Sequence, residues 1–232
     1  MLGVLADHID DIDPTRKLRE LWPEGLPIIR PMYHTPIYLP EPKGKSVKNA
    51  RFGISRQFSS FNARSENFAS SRMWKSLFGK SHGVAPLSYI IEWRQEEGAR
   101  TPYLIGRKDG KLLLTPALVA PCFDDKSDLG FAIATREPNR FFANFHDRMV
   151  GVLTPDLMER WLNPGESTLP KLMECVRAPE EDELVARKAT GDIGRKKADD
   201  LSPIATVGKP LTITDFEAPS SKKKAGQSRL GA

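Results

Sequence analysis

Cysteine is scarce: Cys122 and Cys175 stand 53 positions apart and outside any C-x-x-C spacing. That excludes a disulfide framework and a multi-cysteine zinc site. Histidine is as thin, with His8, His34, His82 and His146 forming no H-x-x-x-H pair, so no metal centre is expected. No apolar run approaches the roughly 18 residues of a membrane span, and no membrane association is expected. The opening MLGVLADHIDD has no basic leader and reaches an acid at Asp7. It does not read as a signal peptide, and a cytoplasmic location is expected. Internal repeats and a strand–glycine-loop–helix phosphate site are also missing, and no cofactor is expected.

What remains is ordinary globular composition, 39% hydrophobic and 28% charged over 232 residues. This suits one large domain, or one domain with a tail. The net charge of +5 is unevenly placed. Residues 1–50 are neutral, 51–111 carry +6, 112–204 carry −4 and 205–232 carry +3. Such asymmetry suits an anionic partner, although a solvated basic face would show the same numbers.

Residues 1–204 read as the folded domain. From Ala205 the chain has few large apolar residues and ends in a Ser, Lys and Gly mixture containing Lys222-Lys223-Lys224. That segment reads as a disordered basic tail, able to brush a phosphate backbone or reach a protein partner. Helices are expected at Pro14–Trp22, Ser70–Phe78, Glu137–Ala143, from Thr154 through Leu162, and at Leu169–Cys175. Thr154 would cap the fourth of these, with Pro155 in its first turn. Strands are expected at His34–Leu39 within an irregular stretch from Ile28 to Lys48, then at Gly83–Arg94, Thr101–Arg107, Lys111–Val119, Gly130–Thr135, Arg148–Leu153 and Glu183–Lys188. Asp109-Gly110 signals a hairpin between the third and fourth strands. Consecutive strands with helices at their edges imply α+β, with a mainly antiparallel, barrel-like sheet and peripheral helices.

Four segments place polar groups in apolar or strand-like surroundings: Phe61 to Glu66, Tyr89 to Trp93, Thr135, and Phe145 to Met149. Alternation sets Ile90, Glu92 and Arg94 on one strand face, so Glu92 either meets solvent or lines a cleft.

In order and spacing, these segments resemble the SOS response-associated peptidase (SRAP) family of abasic-site processing proteins. The resemblance spans roughly residues 1–204. It rests on Asn62-Ala63-Arg64-Ser65-Glu66, Pro86…Glu92-Trp93, Pro102-Tyr103-Leu104-Ile105 and His146-Asp147-Arg148-Met149. Phe52-Gly53-Ile54 and Val185…Gly191-Asp192-Ile193 add to it. The resemblance implies binding of single-stranded or abasic DNA, self-processing that gives the family its peptidase name, and covalent capture of the ring-opened sugar aldehyde. It assigns catalytic roles to Asn62, Glu92 and His146. Asn62 would orient the reacting groups, Glu92 would move protons and His146 would be the second acid/base. Arg64, Thr135 and Arg148 would contact DNA, with Trp93 or Phe52 packing on a base or sugar. The family expects Met-Cys-Gly-Arg at its start, where this chain has Met1-Leu2-Gly3-Val4. Stable thiazolidine crosslinking is therefore not carried over, and enzymatic activity stays open. The alternative is a catalytically inactive SRAP-like fold serving as a protein-interaction module.

Overall fold

The computed structural model describes residues 2–3, 28–57, 60–165, 167–190, 193–195 and 204–216. The helix expected at Pro14–Trp22 and the Lys222–Lys224 run lie outside these residues. Among the described residues, twelve strands form two sheets. They are β1 (Leu2–Gly3), β2 (His34–Glu41), β3 (Gly44–Phe52), β4 (Asn62–Arg64), β5 (His82–Leu87), β6 (Tyr89–Glu96), β7 (Ala99–Arg107), β8 (Leu113–Pro121), β9 (Leu129–Arg136), β10 (Met149–Val150), β11 (Leu184–Ala189) and β12 (Thr206–Leu211). Two short helices follow β10: α1 (Pro155–Leu162) and α2 (Leu169–Met173).

Strands β9, β3, β2, β5 and β8 close on themselves into a five-stranded barrel, antiparallel except for β3–β9. Closure pairs strand edges that would otherwise be open to other chains. Strand β9 is buried from Gly130 through Thr135, which explains its small residues, Gly130, Ala132 and Ala134. It also pairs with β4 in parallel and with β10 antiparallel, beside the barrel ring. The second sheet runs β1-β6-β7-β11-β12. The α+β, barrel-like class expected from the strand pattern is what the chain adopts.

Several elements differ from the sequence expectation, each for a physical reason. The single strand expected over Gly83–Arg94 is two strands in different sheets, with the chain crossing at Ser88. Gly106 permits this crossing, because a Cβ there would stand 2.7 Å from the Ser88 carbonyl oxygen. The Asp109-Gly110 turn forms, with Gly110 at φ 72°. It joins two sheets instead of a hairpin: β7 pairs with β6 and β11, and β8 with β5 and β9. Over Ser70–Phe78 the chain makes turns with scattered i→i−4 bonds and no regular helix. Its inward face is nevertheless as expected at Trp74, and Phe78 is buried beside it. Glu137–Ala143 reduces to one 3-10 turn at Phe142–Asn144, and Arg148–Leu153 to β10 plus a bridge from Val152 to Arg177. Strand β3 occupies a stretch read largely as irregular.

The boundary drawn after residue 204 also moves. Thr206–Leu211 pairs with β11, and Phe216 lies edge-to-face on Phe141 and Phe145, with centroids 5.7 and 5.6 Å away. Arg94 sits over the same ring at 5.0 Å. The few apolar residues of this segment are thus enough to join it to a sheet edge.

Helix α1 docks through a fixed aromatic pair. Pro155 occupies its first turn, but the Thr154 hydroxyl bonds the Asp156 carboxylate and caps no backbone amide. Trp161 is fully buried, donates its Nε1–H to the Gly83 carbonyl at 3.0 Å, and stacks on His82 with centroids 4.0 Å apart. His82 Nδ1–H donates to the Trp161 carbonyl at 2.6 Å, and Nε2 accepts from the Gly79 N–H at 2.9 Å. Both ring nitrogens are used by the neutral form, and burial pushes the imidazole down to about 4. An unfolded histidine protonates near 6.5, so between about pH 6.5 and about pH 4 the unfolded chain binds a proton that the folded chain refuses. The stability from neutral His82 is complete above that window and falls as pH drops through it. Urea unfolding should show a loss of about 2 kcal/mol between about pH 7 and about pH 5 from this group. His82→Gln should remove most of that pH dependence; an unchanged slope would assign it to other residues.

Candidate functional site

Strands β4, β9 and β10 bring three sequence segments to one wall. Asn62 is opposite Ile133, Arg64 opposite Thr135, and Val150 opposite the same Thr135. Strand β6 supplies the facing wall, and its alternation sends Ile90 and Glu92 inward together. Between the walls lies an open cleft enclosing about 560 Å³ of non-atom space. Its apolar floor includes Phe52, Phe61, Ile133 and Phe142, and its polar groups are Asn62, Glu92, Thr135, His146 and Arg148. Six of the eight side chains singled out from sequence, Phe52 among them, therefore meet in one place.

The other two do not line the cleft. Trp93 follows Glu92 in an extended strand and so faces the other way. There it packs with Ile28, Ile91 and Leu104 in a small second apolar cluster. Arg64 is exposed on β4, on the same strand face as Asn62 but outside the cleft lining. The aromatic rings that do line the cleft are those of Phe52, Phe61 and Phe142, the first two 5.7 Å apart edge-to-face.

Phe52 is held by its neighbours. It donates its N–H to the Tyr33 carbonyl at 2.8 Å, and Met32 donates to the Phe52 carbonyl at 2.7 Å. Gly53 then turns at φ 126°, where a Cβ would stand 2.2 Å from the Met32 methyl. Arg51, 2% exposed, supports the turn by donating Nε–H to the Gly53 carbonyl at 3.1 Å. Its other two nitrogens donate to both Asp124 oxygens at 2.8 and 2.6 Å. Cys122 is buried beside this pair, and burial pushes its thiol up to about 11. Cys175 is also buried and raised. Both thiols are poor nucleophiles at neutral pH.

Glu92 is half-buried, and burial raises its carboxyl above the usual range. The positive charges of the amino terminus, His146 and Arg100 oppose that rise, and Asp147 adds to it. Strand β1 pairs with β6 at Leu2–Ile90 and Gly3–Tyr89, which brings the head of the chain alongside the strand carrying Glu92. A carboxyl that resists ionisation is suited to proton transfer.

His146 follows the Phe142–Asn144 turn, itself capped by Asn139 Oδ1 accepting from the Phe142 N–H at 2.9 Å. Nδ1 of His146 accepts from the Arg148 backbone N–H at 2.9 Å and lies equally far from an Asp147 oxygen. These contacts are alternatives. A neutral Nδ1 takes the backbone N–H and leaves the proton on Nε2, whereas a protonated Nδ1 turns to the carboxylate.

The sequence reading gave no role to Glu66, which is central to the site's electrostatics. Both of its oxygens accept from the two terminal nitrogens of Arg148, one at 2.8 Å. Arg148 therefore holds the Glu66 carboxyl down at about 2. Arg148 Nη2 also donates to Thr135 Oγ1 at 3.4 Å, and its Nε is buried without a partner among the described residues. Glu66 stood inside the Asn62–Glu66 anchor, but pairing with a residue 82 positions away has no local signature. Among the described residues, no group of three or more His, Cys, Asp or Glu side chains is placed to hold a metal ion.

The model of one protein family, described as SOS response associated peptidase (SRAP), matches residues 28–196. An abasic site processing protein of Saccharomyces cerevisiae is 30% identical over 185 residues, 72% of this chain and 49% of that protein. The abasic site processing protein YedK of Escherichia coli is 27% identical over 149 residues, 62% of this chain and 67% of its own. The chain thus spans about half the length of the yeast relative and two thirds of the bacterial one. A crystal structure of a Bordetella bronchiseptica protein superposes with a TM-score of 0.66 at 18% identity, covering 82% of this chain and 98% of that one. Another, from Bacteroides thetaiotaomicron, gives 0.62 at 20% identity over 75% and 84%. At such identities the structural likeness concerns the fold alone. The family match extends over most of the barrel and every polar group of the cleft, and on it the chain belongs to the SOS response associated peptidase (SRAP) family.

Proposed function

We propose that this protein captures abasic sites in single-stranded DNA as a reversible imine, within the cleft between β6 and the β4–β9–β10 wall. The observation that carries the reading is Glu92, a carboxyl raised by burial that lines the cleft together with His146, on the strand that pairs with β1. The names of the yeast and Escherichia coli relatives support abasic DNA as the substrate class. An α-amine adds to the aldehyde carbon of the ring-opened sugar, forming a C–N bond and a carbinolamine. Protonated Glu92 gives its proton to the carbinolamine hydroxyl. Water leaves, the nitrogen lone pair forms the C=N bond, and the nitrogen's remaining proton returns to the carboxylate or to solvent. Asn62 orients the sugar, and His146 serves as the second proton-transfer group. Arg148 and the exposed Arg64 face phosphates.

The residue at position 2 is leucine, which carries no thiol that could close a ring on an imine. The test is a denaturing-gel assay with abasic single-stranded DNA, with and without borohydride. It compares wild type with Leu2→Cys made with its initiator methionine removed. Wild type should give a band only after borohydride trapping, and Leu2→Cys a band without it. A borohydride-independent band in wild type would overturn the reversible chemistry. Failure of both proteins to react would overturn the reading. The missing thiol favours a second reading, a barrel kept for protein interaction; it predicts no salt-sensitive binding to single-stranded DNA.

A further inference from the structure

Among the described residues lining the cleft, Arg148 is the one permanent cation, and Glu66 occupies it. The two partners are unequally placed. The Arg148 side chain is 16% exposed and Glu66 43% exposed. A half-exposed carboxylate returns to water at small cost, whereas a largely covered guanidinium is disfavoured without an anion. Arg148 therefore cannot simply lose Glu66; it can exchange Glu66 for another anion of similar geometry. Phosphate presents two oxygens to a guanidinium as a carboxylate does.

We propose that Glu66 is a displaceable stand-in for phosphate, holding the Arg148 guanidinium until a nucleic-acid phosphate enters the cleft and replaces it. The proposal rests on the reading of the cleft as a single-stranded DNA site. Its consequence runs against the usual effect of removing a binding-site residue, because Glu66 restrains binding. It also sharpens discrimination, since only a strand whose phosphate reaches Arg148 recovers the lost ion pair.

The test is fluorescence anisotropy with a labelled single-stranded oligothymidylate of about 15 nucleotides, titrated from about 50 to about 200 mM salt. Wild type, Glu66→Gln, Glu66→Asp, Arg148→Gln and the Glu66→Gln/Arg148→Gln double variant are compared. Glu66→Gln should bind several-fold more tightly at low salt, with a log–log salt slope close to that of wild type, because the same Arg148–phosphate contact forms in both, whereas Arg148→Gln should flatten the slope by about 0.7. Glu66→Asp, which keeps the charge, should stay near wild type. In the Arg148→Gln background the Glu66 substitution should change nothing. A gain that persists there is the generic effect of one lost negative charge and overturns the proposal. Equal or weaker binding by Glu66→Gln also overturns it, while wild-type binding leaves the DNA reading standing. If no protein binds at low salt, the DNA reading falls and takes this proposal with it.

Discussion

Glu92→Gln is expected to slow formation of the borohydride-trapped adduct by about 10²-fold or more, the usual contribution of a positioned general acid. The substitution keeps volume and hydrogen bonding but cannot release or take up a proton. The pH profile separates this role from a structural one. Imine formation needs a neutral amine, whose ordinary pKa is about 7.7–8.0, and a protonated carboxyl. Burial of Glu92 raises the carboxyl towards the amine, which enlarges the fraction of molecules that hold both required forms. The wild-type profile should be bell-shaped. In Glu92→Gln the carboxyl limb is gone, so the slower rate should rise with pH and level off. A variant that keeps the bell would assign the second limb to another group, with His146 next in line. Unchanged rates would remove Glu92 from the chemistry.

Much of this cleft could be read from sequence because its residues sit in short local patterns. Asn62, Glu92, Thr135, His146 and Arg148 each interrupt an apolar or strand-like segment, and all five line one cavity. Trp93 shows where motif reasoning outran geometry. Adjacent residues of an extended strand point to opposite faces, so Glu92 and Trp93 could not both enter the cleft. The same alternation placed Glu92 correctly with Ile90. Glu66 was missed for the opposite reason: its meaning depends on Arg148, far along the chain and brought near by the β4–β9–β10 ladder.

The fold shows a similar division. Period-two patterns located most strands, but the pattern does not say which sheet a strand joins. From Val84 to Ile91 the chain is nearly continuously apolar, with no glycine or paired turn residues to mark the crossing at Ser88. Only the requirement that β5 close a barrel while β6 builds a second sheet divides it. Likewise, helical periodicity over Ser70–Phe78 placed Trp74 inward, yet so short a segment gains little from helix propagation. Packing of Trp74 and Phe78 holds it as irregular turns instead.

Trp161→Ala should be the most damaging single substitution away from the cleft, costing about 3–5 kcal/mol, the range for emptying a buried tryptophan site. Three losses coincide. The cavity opens at a fully buried position, the Gly83 carbonyl loses its 3.0 Å donor, and His82 loses the ring stacked 4.0 Å from its own. Gly83 lies in β5, a barrel strand, so the damage reaches the barrel as well as α1. Trp161→Phe should cost less, because a smaller ring fills part of the space; the remaining penalty includes about 1–3 kcal/mol for the buried carbonyl left without its donor. Urea unfolding of both variants at neutral pH orders these contributions. The acid dependence then tests the link to His82. Water entering the Trp161→Ala cavity eases the desolvation that holds His82 at about 4, so its pKa rises towards the unfolded value. Less stability is then lost between about pH 6.5 and about pH 4 than in wild type. The variant should therefore be weaker at neutral pH yet flatter in its response to acid. A Trp161→Ala protein that keeps the full wild-type slope would show that stacking does not maintain the neutral imidazole. The burial around His82 would then have to come from Phe78 and the Gly79 turn alone.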